Sequence, residues 1–241
     1  MKKFMLVFAI LIAATAAHAS YQNALKLFSN GDYEESLKLI ADELVIENDL
    51  APDSPNYKLR FLAAHNHWKL GNYKSAAAHF TRCIAIRSQN ADPFIDLALL
   101  QLDHKRYNEA EQTARRGLSV KKSALLYYVL GKIYLERKNY WNAKAFLERA
   151  NAIDPELYIS YNALGIALMN LKRYSQANTA FSVALAIKPD SAILLNNMGM
   201  SLEKMGEPDK ARQYFQRALD ADSDNDTVRE NIERVQALTG K

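Results

Sequence analysis

The chain has 241 residues, with 31 Lys and Arg against 27 Asp and Glu and a formal net charge of +4. That near balance argues against a nucleic-acid partner, and the single cysteine, Cys83, excludes an intramolecular disulfide. Only 8 glycines and 6 prolines are present, and they fall at regular places rather than in a low-complexity linker.

In chain order, Lys2 and Lys3 precede an apolar run from Phe4 to Ala17, and Ala17-His18-Ala19 puts small residues where a signal peptidase reads them. This predicts a cleaved secretory signal over residues 1–19 and a mature chain from about Ser20. The protein is then soluble in an exported compartment, a bacterial periplasm, where a nucleic-acid partner is less expected still. No Cys stands at the cleavage point, so the signal is not of the lipoprotein kind. Retention as a membrane anchor is the alternative, but that needs roughly 20 apolar residues.

Beyond the signal a period of 34 residues governs the chain. Gly131, Gly165 and Gly199 share it, as do Ala143, Ala177 and Ala211, and Ala150, Ala184 and Ala218. Pro155 and Pro189 close two of the units. A fixed period of this length means one supersecondary unit repeated and stacked. In the clearest unit, 158–191, Tyr161, Leu164, Gly165 and Leu168 share one face of a first helix, and Tyr174, Ala177, Phe181, Ala184 and Ile187 one face of a second. Asn170 to Arg173 make the turn between them, and Pro189 stops the second helix.

The eight residues Tyr161, Leu164, Gly165, Tyr174, Ala177, Phe181, Ala184 and Pro189 resemble the pattern of the tetratricopeptide repeat. The resemblance extends with losses to 57–90, 91–123, 124–157 and 192–225, and most weakly to 20–50. Residues Ala51 to Asn56, with Pro52 and Pro55, are extra and predict a loop. A closing helix over 226–239 carries Val228, Ile232, Val235 and Leu238 as one apolar stripe, with Gly240 at its end. The expected fold is therefore all-α: a right-handed superhelical α-solenoid of about six helical hairpins plus a capping helix, forming one domain over 20–241.

Nothing in the sequence assembles a catalytic constellation, and no cofactor or metal is expected. His65 and His67 flank Asn66, a spacing that points them to different faces of a helix. Asp220, Asp222, Asp224 and Asp226 lack the central Gly and closing Glu of a calcium loop and read as a turn and helix N-cap. Cys83 occupies a small-residue packing position.

The resemblance implies that the first helix of each hairpin lines an inner groove. Carried over, the groove holds Phe61, His65, Trp68, Ile95, Leu99, Leu102, Tyr128, Lys132, Leu135, Ile159, Asn162, Ile166, Met169, Asn196, Asn197 and Met200. Most are apolar or aromatic, suited to a peptide or helical segment of another protein. Asn162, Asn196 and Asn197 could pair with a ligand backbone, ordinary solvated Asn being the plainer reading. The family's Lys/Asn/Arg clamp for a C-terminal carboxylate is not formed, because Lys58 and Lys132 lack matching residues in adjacent repeats. The function expected is a non-enzymatic interaction scaffold or assembly factor of the bacterial envelope. The alternative is a periplasmic small-molecule or transporter-associated binding protein. A membrane-associated complex and a second copy of the chain remain open as partners.

Overall fold

The computed structural model of the protein describes residues 20–44 and 55–240. The expected signal at 1–19 and the loop residues 51–54 lie outside them. Among the described residues there are thirteen α-helices and no strand. They are α1 (residues 20–30), α2 (Tyr33–Glu43), α3 (Pro55–Lys69), α4 (Tyr73–Ile86), α5 (Asp92–Asp103), α6 (Tyr107–Val120), α7 (Ala124–Glu136), α8 (Tyr140–Ile153), α9 (Tyr158–Asn170), α10 (Tyr174–Ile187), α11 (Ala192–Lys204), α12 (Pro208–Ala221) and α13 (Asp226–Thr239). Paired in order, they give the six hairpins and closing helix expected of an all-α solenoid. Of the residues expected in the extra loop, Pro55 and Asn56 belong to α3, since proline is tolerated in a helix's first turn.

The chain divides into two compact units, one ending at Lys122 and the other starting at Ser123. In the first unit, Ala24, Ile40, Leu59, Leu62 and Ala63 make one buried cluster, and Ala64, Ala76, Phe80, Ile84, Phe94, Leu97 and Leu100 another. Cys83 is fully buried beside Tyr57 and Ile86, with its Sγ 3.8 Å from the Tyr57 carbonyl. Burial pushes its thiol up to about 12, so the packing reading holds.

The second unit has one continuous core from Leu135 to Val235. Its repeating element is a glycine on the first helix of a hairpin facing a large side chain on the second. Gly131 faces Leu147, Gly165 faces Phe181, and Gly199 faces Phe215, with all three large side chains fully buried. The 34-residue period is thus a steric one: the hairpin closes because the first helix has no Cβ where the second inserts its knob.

Short turns close the hairpins, one between the two helices of each. They reverse the chain through a left-handed residue, Gly31, Gly71 and Gly206 in three of them and Lys105, Lys138 and Lys172 in the other three. The closing helix starts at an Asn225 cap whose Oδ1 accepts from the Val228 amide at 3.2 Å, so the cap is not one of the neighbouring aspartates. Val228, Ile232 and Val235 are buried as expected, but Leu238 is 65% exposed because the cover over the stripe ends at Val235. Gly240 ends the helix at φ 65°.

Candidate functional site

Each unit carries its own share of the predicted groove residues, on the first helices of its hairpins. In the first unit, Phe61, His65 and Trp68 lie on α3, and Ile95, Leu99 and Leu102 on α5; all six are partly exposed. Phe61 and Trp68 pack around His65. Its ring meets Phe61 edge-on at 4.9 Å and Phe80 at 5.2 Å, and stacks with Trp68 at 6.1 Å. Its Nε2 lies 3.2 Å from Asp96 Oδ2, so the imidazole ties α3 to α5. His67 points elsewhere, as its spacing requires, and stacks on His79 of α4 at 5.5 Å. Sequence reasoning did not single out Asp96 or His79.

The second unit holds the remaining candidates. Tyr128 and Lys132 on α7, Ile159, Asn162, Ile166 and Met169 on α9, and Asn196, Asn197 and Met200 on α11 all keep some exposure. Leu135 does not. It is 8% exposed and belongs to the core, because the last turn of α7 faces the next hairpin. Lys132 Nζ sits 3.9 Å from Glu136 Oε1.

The asparagines are neither solvated singly nor left open. Asn197 Nδ2 donates to Asn162 Oδ1 at 2.8 Å, and Asn231 Nδ2 donates to Asn196 Oδ1 at 2.7 Å. Two amide bridges, each spanning 35 residues, therefore link α9 to α11 and α11 to α13. A second tie joins α13 to α11: Arg234 grips Glu203 with two bonds, of 2.9 and 2.6 Å, and holds that carboxyl below its ordinary range. Asn231 was missed because one Asn on a helix is unremarkable. Its signal was the 35-residue offset from Asn196, the same offset that separates Asn162 from Asn197.

Chemically the two rows offer apolar and aromatic surface with a few amide edges. Among the described residues no group of three or more His, Cys, Asp or Glu is placed to hold a metal ion. The aspartates at 220–226 are used locally: Asp222 accepts from Asn225, and Asp226 pairs with Arg229. No described helix is long and apolar enough to cross a membrane.

Sequence models of the tetratricopeptide repeat match residues 67–133, 124–157 and 192–225. The chain belongs to the tetratricopeptide repeat family. No curated protein matches it. Among solved structures it is similar to that of pilF from Pseudomonas aeruginosa, at 17% identity and a TM-score of 0.74, covering 93% of this chain and 98% of that one. It is similar to MamA from Desulfovibrio magneticus RS-1, at 17% identity and a TM-score of 0.60, covering 70% and 97%. It is also similar to YrrB, a tetratricopeptide protein with an unusual peptide-binding site, at 18% identity and a TM-score of 0.58, covering 76% and 93%. At such identities the likeness is one of fold.

Proposed function

We propose that the protein is a non-enzymatic interaction scaffold that holds a segment of another protein against the first helices of its hairpins. The observation that carries this reading is the row of side chains on those helices. Phe61, Trp68, Ile95 and Leu99 in one unit, and Ile159, Ile166, Met169 and Met200 in the other, keep apolar surface in solvent while the opposite helix faces are buried. Apolar surface aligned in this way is covered in use by a partner. The amide pairs add polar edges along the same helices. Each bridge uses one Nδ2 hydrogen and one Oδ1 lone pair, and the remaining donor and acceptor capacity suits a peptide backbone. The peptide-binding site ascribed to YrrB is consistent with this use of the fold.

The setting we propose is the bacterial envelope, after export. The support is the sequence of residues 1–19. Fractionation of the expressing cell with a mass measurement on the recovered chain tests this, and an uncleaved chain in the cytoplasmic fraction would overturn it.

Partner binding is tested by capture from the envelope fraction, comparing wild type with Trp68→Ser and Tyr128→Ser after confirming unchanged helical content. Loss of a captured protein in each variant is expected. An unchanged set would remove the rows from the binding surface.

A further inference from the structure

The second unit has a basic, aromatic edge that the scaffold reading leaves unused. The three turns α7–α8, α9–α10 and α11–α12 join antiparallel helices, so they lie at one end of the unit. Lys138 and Lys172 stand exposed in these turns and Lys204 at the end of α11, with the half-buried Arg173 beside Lys172. Two apolar side chains accompany the cations: Trp141, 59% exposed in the first turn of α8, and Met205, 38% exposed after α11. The Arg173 guanidinium lies 4.5 Å from the Trp141 ring centroid, which brings two successive turns together.

Local structure does not account for these choices. Lys138 and Lys172 take left-handed backbone, at φ 57° and 59°, where the third turn uses Gly206. A lysine there carries a conformational cost that glycine avoids, one that Lys105 also bears in the first unit. Trp141 is the larger departure, an indole left in water on a helix whose inward positions are already filled by Ala143, Leu147 and Ala150. Of the nearby carboxylates, Glu136 is engaged toward Lys132, Glu207 with Lys210 and Glu203 with Arg234, while Asp209 stays exposed in the first turn of α12.

We propose that this edge docks on an anionic phospholipid surface, with the cations against headgroups and Trp141 at the interface. The layout favours a bilayer over an acidic peptide. A peptide carboxylate calls for donors converging on one point, whereas here the cations are spread over three turns. An amphipathic ring beside cations is the composition that settles at the headgroup level. This docking is independent of the helix rows discussed above and leaves them open to a protein partner.

The test is sedimentation of the full chain with vesicles of equal parts phosphatidylglycerol and phosphatidylcholine, beside vesicles of phosphatidylcholine alone. The readout is the difference between wild type and variants, so any contribution of the apolar run at residues 4–17 is common to both. Binding to the anionic vesicles only, weakened by salt, is expected. The Lys138→Glu/Lys172→Glu variant should lower partitioning by at least about 25-fold, about fivefold per cation lost, with the two added carboxylates lowering it further. Trp141→Ala should lower it as well. Lys121→Glu/Lys122→Glu, with the same change in net charge away from the edge, should leave it unchanged. Equal binding to both vesicles, equal loss in the Lys121/Lys122 control, or binding to a poly-glutamate peptide with none to vesicles would each overturn the proposal. A cation placed only to cap a helix would alter the melting temperature and leave vesicle binding as it was.

Discussion

A Cβ added to Gly165 would sit 2.3 Å from the ring of Phe181. Gly199 meets Phe215 in the same way at 2.6 Å, and Gly131 meets Leu147 at 2.5 Å. Alanine at Gly165 would gain about 1 kcal/mol of helix propensity. Overpacking against a fully buried ring costs about 1–3 kcal/mol, and at this distance the ring must leave its seat. Gly165→Ala is therefore expected to destabilise the protein by up to about 2 kcal/mol. Gly131→Ala should cost less, because a leucine can change rotamer where a phenyl ring cannot. Urea unfolding of the two variants checks the order; a stabilised Gly165→Ala would show that the helices separate freely.

The Asn162–Asn197 bridge predicts energetic coupling between α9 and α11. Removing either amide alone strands its partner at a half-buried position, which should cost about 1 kcal/mol. Removing both should cost less than the sum of the single changes. A double-mutant cycle with Asn162→Ala and Asn197→Ala is expected to give a coupling of about 0.5–1 kcal/mol. Strict additivity would mean that the two amides do not meet in solution.

The hairpins were legible because their determinants lie within one repeat. The Gly165 and Phe181 spacing, the turn at Asn170 to Arg173 and the stop at Pro189 are local signals that recur. What escaped the sequence depends on contacts between repeats. Leu135 looks like a groove residue by offset, yet the following hairpin buries it. Asn196 looks like a ligand-facing amide, yet α13 supplies Asn231 to meet it. His65 gave no hint of Asp96, 31 positions on, because the register between two helices of different hairpins is set by packing and not by either sequence segment. The loop before α3 was misjudged for a simpler reason, since Pro55 fits a turn and a helix start equally well.

Cys83 should behave as a structural residue and not a reactive one. Its thiol is fully buried and raised to about 12 by desolvation, so the thiolate is scarce at neutral pH and out of reach. A thiol reagent is expected to label the native chain at the rate of unfolding and the denatured chain at once. Rapid labelling without denaturant would place Cys83 at the surface. Cys83→Ala should cost about 1 kcal/mol, since the site already takes a small side chain.

The His67–His79 stack predicts acid sensitivity of the first unit. Burial lowers the His79 pKa to about 4, with the positive charge of His67 and Arg60 adding to it, and burial lowers His67 as well. Both ring Nδ1 atoms are buried without a hydrogen-bond partner. A folded-state pKa below the ordinary 6.5 means that the unfolded chain binds protons more readily. Stability is therefore complete above about pH 6.5 and falls as the pH drops from there toward 4. The loss, discounted for the partial exposure of the rings, should be about 1–2 kcal/mol. Urea unfolding at about pH 7.5 and again at about 5.5, above the range where carboxylates titrate, isolates the histidine contribution. His79→Leu, which keeps the volume and removes the titrating ring, should flatten the slope between those two points. A slope unchanged in that variant would assign the acid sensitivity to other groups.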